Sequence, residues 1–273
     1  MCGLLLALPA LAAERPRIYA ITGATIVTAP GEKLEGATIV LRDGLIESVG
    51  AEVSPPEDAV TIDGEGRWVY AGLIDVDSSL GVSTGGRGGN AAPGGGGGGF
   101  PGSRSRAPRP GAGHELSLVH PEQRVRDKLV PFEGDGAREM ERIRELGFTA
   151  VLVTPTDGIL RGRSSAILLA GDRTVPQLIL RDDVAQHAGF QRAGFGGGYP
   201  TSLMGGAAAL RQTFLDAERA ASWAERYDDS PQGMPRPPHN AAFEALEPVL
   251  EGDQPLFFRT DDAQNSLLAD RIA

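Results

Sequence analysis

Between Val69 and Gly81 the chain sets the apolar residues Leu73, Ile74 and Val76 against Asp75, Asp77 and Ser79, which recur at a spacing of two. A short apolar, partly β-branched run suits a parallel strand covered on both faces. The spacing of two puts Asp75, Asp77 and Ser79 on one side of that strand where it runs out. Polar side chains delivered this way suit metal ligation. The same residue types are also common at strand ends as partners of loop backbone, so both readings stand on the sequence.

The residues before this strand read as a small β region, with strands expected at 18–22, 24–28, 37–42, 45–49, 60–63 and 67–70. Asp43-Gly44 between two of them is a two-residue hairpin signal, because a type I′ turn needs positive φ at both central positions. Asp63 to Gly66 supplies a second turn. Residues 85–113 then collapse into Gly, Pro, Arg, Ser and Ala, with an unbroken glycine run from Gly94 to Gly99, and are expected to be disordered. No strand-loop-helix frame or Lys-Ser/Thr follows, so a phosphate cradle is not supported.

Further along, apolar spacing predicts a helix over 136–146 stopped by Gly147, and a strand over 148–154 stopped by Pro155. This helix-strand step makes the class α/β. A strand is expected at 177–180. A long helix follows from Pro200-Thr201-Ser202, with Leu203, Ala207, Leu210, Phe214, Ala217 and Ala221 along one face. A loop over 227–239, a helix from Asn240 broken near Pro248, a strand over 255–260 and a last helix capped by Asp261 complete the pattern.

The run Gly72-Leu73-Ile74-Asp75-x-Asp77-x-Ser79, with Leu80-Gly81 after it, resembles the first barrel strand of the amidohydrolase superfamily, whose signature is P-G-(L/F)-I-D-x-H-x-H. Asp77 and Ser79 stand where that signature has two metal-binding histidines, and Ala71 replaces its proline. Gly23 to Val27 and the hairpin 39–50 resemble the N-terminal half of the family's β-sandwich, and 158–169 resembles the loop and extra strand after the second barrel strand in imidazolonepropionase-like members. The resemblance implies half of a small β-sandwich over 14–70 and an incomplete TIM-like (β/α) barrel over 71–273 that carries the insert 85–113, both after a leader at 1–13 that is read from the apolar run Leu4 to Leu11. It further implies a hydrolase acting on carbon-nitrogen bonds other than peptide bonds, with a divalent metal, zinc, activating water, and with Asp77 and Ser79 at the ligand positions. Arg259 stands where some relatives place a histidine. The alternative is a non-catalytic homologue that has lost its metal and serves as a binding or structural protein.

A complete (β/α)₈ barrel takes roughly 250 residues, and fewer follow Asp75. The chain therefore reads as the N-terminal portion of such a protein, with the remaining ligands and the catalytic Asp expected beyond residue 273. The apolar run from Leu4 to Leu11, ending in Ala10-Leu11-Ala12, reads as a signal peptide with the mature chain starting near Ala13; a short buried helix is the competing reading. Export to the periplasm or the extracellular space is then expected. The run is too short to span a bilayer. Cys2, the one cysteine, falls inside it, which excludes a disulfide framework in the mature chain.

A net charge of -10 with no basic face argues against nucleic acid and leaves a small molecule as the expected partner. No nucleotide cofactor is expected. His114, His120, His187 and His239 show no ligand spacing on a regular element and read as surface loop, while Asp182-Asp183 and Asp228-Asp229 read as solvated turns. No serine sits in a nucleophile-elbow pattern, so no Ser/His/Asp triad is argued.

Overall fold

A computed structural model describes residues 18–82, 113–171, 173–193 and 198–272. The leader expected at 1–13 and the insert expected at 85–113, Gly113 apart, lie outside them. The chain is a mixed α/β protein built of two compact units, Met1–Gly72 and Leu73–Ala273.

In the first unit, β1 (Ile18–Ala29) pairs antiparallel with β2 (Glu32–Arg42), and β2 with β3 (Leu45–Gly50). Asp43 and Gly44 join the latter pair with φ of 52° and 79°, the two positive values the hairpin requires. β4 (Val60–Asp63) and β5 (Trp68–Val69) add to β1 in parallel. The two strands expected on either side of Gly23 are one continuous strand. A bulge absorbs the glycine, because Ile21 and Ala24 pair with Ile39 and Ala37, leaving two residues opposite one. Ala24, Ile26, Ala37 and Ile39 bury one small cluster, and Ile18, Ala20 and Val40 another. Gly64 holds the second turn against β1: a Cβ there would come within 2.8 Å of Ala24 Cβ.

In the second unit, β6 (Leu73–Ser78) lies parallel to β7 (Phe148–Val153), with α1 (Asp135–Glu145) before β7. α1 ends at Gly147, whose φ of 93° breaks the helix and whose carbonyl accepts from Leu73 N–H at 2.9 Å. β9 (Ser165–Leu168) pairs antiparallel with β7, and β10 (Ile179–Arg181) with β9. The order β10-β9-β7-β6 makes β6 an edge strand. Leu73, Ile74 and Val76 are exposed, which corrects the expectation of a strand covered on both faces. The strand expected at 177–180 begins as the helical turn α2 (Val175–Leu178), because Thr174 and Gln177 close a capping box and Pro176 sits in the first turn.

β8 (Leu160–Arg163) precedes β9 by one residue yet belongs to another sheet, pairing antiparallel with β11 (Gln186–Gly189), which lies parallel to β12 (Leu256–Arg259). The joining residue, Ser164, is fully buried; its N–H donates to Ala185 O at 3.0 Å and its carbonyl accepts from Val184 N–H at 2.9 Å.

α3 (Leu203–Asp229) starts at Ser202, whose hydroxyl accepts from Gly205 N–H at 3.1 Å. Leu210, Phe214 and Ala217 pack on Leu160, Ala188, Leu256 and Phe258, so helices cover one face of the β8-β11-β12 sheet. By strand alternation His187, Gly189, Phe257 and Arg259 look the other way. α3 runs into the expected loop, so Asp228 and Asp229 end a helix and are not in a turn. α4 (Ala241–Glu244) and α5 (Glu247–Leu250) are the broken helix expected at Pro248, and Asn240 caps the first of them. α6 (Ala263–Asp270) is capped by Asp262, one residue after the expected cap. Among the described residues no helix is long and apolar enough to cross a membrane.

Candidate functional site

The two parallel pairs, β6-β7 in one sheet and β11-β12 in the other, carry polar groups: Asp77 near the end of β6, Thr154 just past β7, His187 and Gly189 on β11, and Arg259 at the end of β12. Arg161 comes in from β8. Thr154 Oγ1 donates to Asp77 Oδ1 at 2.7 Å, and Arg259 approaches Asp77 Oδ2 at 3.5 Å. The side chains of that ion pair are 52% and 54% exposed. Arg161 donates through Nε to Gly158 O at 3.0 Å. A Cβ on Gly189 would overlap the Arg161 guanidinium, so the glycine leaves room for it to lie across β11.

His187 is 8% exposed, and its Nε2 is buried without a hydrogen-bond partner among the described residues. Its ring meets Phe257 edge-on at 5.6 Å between centroids. Burial pushes its pKa down to about 4, with Arg161 adding to the fall and Asp77 opposing it. The imidazole is therefore neutral at pH 7. Burial also lowers the pKa of Arg161, Arg259 adds to that, and Asp77, Asp157 and Asp261 oppose it; the guanidinium keeps its charge.

The expected ligand pair separates. Asp77 joins this cluster, while Ser79 opens the turn in which its carbonyl accepts from Val82 N–H at 3.2 Å. The donors do not fit a divalent ion. One Asp77 oxygen is taken by Thr154, the other faces a guanidinium, and a cation there would sit beside Arg259. Among the described residues no three His, Cys, Asp or Glu side chains group closely enough to hold a metal. Zinc sites normally take four such donors, or three with a water.

His187 is the residue that sequence reasoning misplaced, since it is buried on a strand and not in a surface loop. The alternation of His187 and Gly189 was the available signal, but four residues without a β-branched side chain do not announce a strand. The other histidines stay out of the cluster. His114 Nδ1 accepts from Leu116 N–H at 3.1 Å, His120 Nε2 pairs with Ser117 O at 2.8 Å, and His239 pairs with Glu244 at 2.5 Å. Burial lowers the pKa of His114, whereas hydrogen bonding to Glu122 raises that of His120.

Asp182 and Asp183 are not solvated turns. Asp183 Oδ2 receives Arg163 at 3.2 Å and Arg124 at 3.3 Å, and Asp182 binds Arg126 and accepts from Ser165 Oγ at 2.7 Å.

No family model and no curated protein matches this sequence. Among solved structures, the amidohydrolase from Thermotoga maritima MSB8 superposes with a TM-score of 0.70 at 22% identity, over 93% of this chain and 61% of that one. The chain has the fold of this protein and spans about three-fifths of its length. The structural neighbour is thus an amidohydrolase, as is the superfamily that the first-strand motif resembles. Two short matches, each with a TM-score of 0.22, carry no fold argument: a Bifidobacterium longum protein suggested to be a prolidase (39% identity, 23% of this chain and 17% of that one) and a prolidase complexed with N-methylphosphonate-L-proline (24% identity, 24% and 16%).

Proposed function

We propose that this chain is a portion of an amidohydrolase-type hydrolase acting on carbon-nitrogen bonds other than peptide bonds in a small molecule, exported after cleavage near Ala13. In this reading the second unit is part of a (β/α) barrel and the first is half of a β-sandwich. The observation that carries it is the convergence of Asp77, Thr154 and Arg259 at the carboxyl ends of β6, β7 and β12, with His187 of β11 and Arg161 of β8 beside them, within a fold shared with an amidohydrolase. In (β/α) barrels the chemistry sits at that end, where loops and strand tips from different parts of the chain meet.

Within the site, Thr154 and Arg259 hold the Asp77 carboxylate in one orientation, and His187 presents a neutral ring able to donate or accept a proton. A divalent metal, zinc, held through Asp77 and Ser79 belongs to this reading only by the motif's resemblance. The donors described above do not fit it, so no step is routed through it.

A panel of N-acyl amino acids, cyclic imides and hydantoins, with dipeptides as controls, tests the proposal. Hydrolysis of the non-peptide C–N bonds is expected, with kcat/KM lowered at least about a hundredfold in Asp77→Asn or His187→Gln, the scale of a lost acid-base or orienting group. N-terminal sequencing of protein recovered outside the cytoplasm is expected to start near Ala13. The Arg259–Asp77 pair favours a second reading, a non-catalytic homologue that binds without turnover. Absence of hydrolysis across the panel by a folded full-length protein would decide for it.

A further inference from the structure

We propose that the face of the β8-β11-β12 sheet opposite the helices is a receptor for a small monocarboxylate, with the Arg161 guanidinium as its fork and His187 as its second hydrogen-bonding group. The inference deepens the hydrolase reading by naming the class of substrate, and it rests on that reading only for the location of the site.

Arg161 is half-buried and commits only Nε, to Gly158 O at 3.0 Å; among the described residues no carboxylate forms an ion pair with it. A guanidinium partly withdrawn from water, with its terminal nitrogens unpaired, is suited to receive an anion. Gly189 is the cradle: the guanidinium lies where any side chain on β11 would put its Cβ. The planar fork suits two carboxylate oxygens. His187, more than nine-tenths buried, has an Nε2 with no partner on the same strand face, and a bound carboxylate would satisfy it. Phe257, edge-on to the His187 ring and partly exposed, offers an apolar wall for the remainder of the ligand.

The surrounding charges decide between anions. Asp77 has its oxygens committed to Thr154 and Arg259, so it does not cap Arg161. Asp77, Asp157 and Asp261 nevertheless act on Arg161 from a distance, against the positive charge of Arg259. A field with three carboxylates admits one negative charge opposite Arg161 and penalises a second. That selects a carboxylate over a phosphate dianion.

Cyclohexanecarboxylate, which has no C–N bond, separates binding from turnover, and cyclohexylmethanol is its neutral counterpart. Titration calorimetry on the full-length protein is expected to show the acid binding at least about tenfold more tightly than the alcohol, the scale of one charge-assisted pair. Arg161→Gln is expected to abolish the preference. Gly189→Ala is expected to do the same by unseating the guanidinium, and circular dichroism would verify that both variants are folded. Equal affinity for acid and alcohol overturns the proposal, as does a folded Arg161→Gln protein that keeps the preference, or inorganic phosphate that binds more tightly than the acid. Acid preference without hydrolysis of any panel substrate leaves the receptor standing and ends the hydrolase reading. Hydrolysis without acid preference does the reverse.

Discussion

Two Arg–Asp clusters in the second unit use the same residue types to opposite ends. Around Asp183, two guanidinium groups share one carboxylate oxygen, and the Arg163 and Asp183 side chains are 13% and 27% exposed. Around Asp77, the ion pair is about half exposed, and the more buried arginine, Arg161, has no carboxylate against it. In the first cluster each guanidinium faces a carboxylate inside the protein, although Arg163 Nε and Asp183 Oδ1 are buried without a partner among the described residues, and the group ties β8 to the turn before β11. In the second the half-buried Arg161 charge and the His187 nitrogen are left over. A structural ion-pair network compensates its own charges, and a binding site leaves some of them for the ligand.

The largest test of that contrast is pH. An unfolded histidine takes up its proton near pH 6.5, whereas folded His187 does so only near 4. Between those values the unfolded state binds more protons, so stability falls as pH drops through the window, by of the order of 3 kcal/mol. Above pH 6.5 this contribution is fully present and constant. Urea midpoints at pH 7 and pH 4.5 are expected to diverge in the wild type and to converge in His187→Leu; an unchanged slope in the variant would mean that His187 is not the buried group. Next comes Asp183→Ala, which strips Arg163 and Arg124 of their shared partner and is expected to cost about 2 kcal/mol in chemical denaturation, below the full cost of a deeply buried pair because Asp183 retains some exposure. Smallest is Asp77→Ala, expected to change stability by under about 1 kcal/mol because its pair with Arg259 is half exposed. If Asp77→Ala cost as much as Asp183→Ala, the contrast between the clusters would fail.

The same division separates what the sequence makes legible from what it hides. The Asp43-Gly44 hairpin, α1 with its Gly147 stop and the Ser202-capped α3 are local. Each rests on turn chemistry, capping or a periodic apolar face, and each stands where expected. Asp77 is singled out in the sequence by a motif and Arg259 by a strand end, and the structure joins the two in one ion pair. Arg161 and His187 are not singled out. Their strands, Leu160–Arg163 and Gln186–Gly189, each contain a glycine and no β-branched residue, and they are strands because β11 has partners on both sides. Tertiary pairing overrides propensity there. The exposure of β6 was hidden for a related reason: the apolar pattern of Leu73, Ile74 and Val76 says that the strand prefers cover and not whether it has it.

Ser164 is expected to couple the two sheets of the second unit into a single folding unit. With one residue between β8 and β9, neither sheet can open far without dragging on the backbone that anchors the other, and both main-chain groups of Ser164 are already bonded to the 184–185 segment. The amides of Ser164 and Val184 are therefore expected to exchange with deuterium only through global opening, with protection equal to the full unfolding free energy. The Asp77 and Arg161 sides of the site then assemble in one cooperative event, and an intermediate holding only half of it has no route to accumulate.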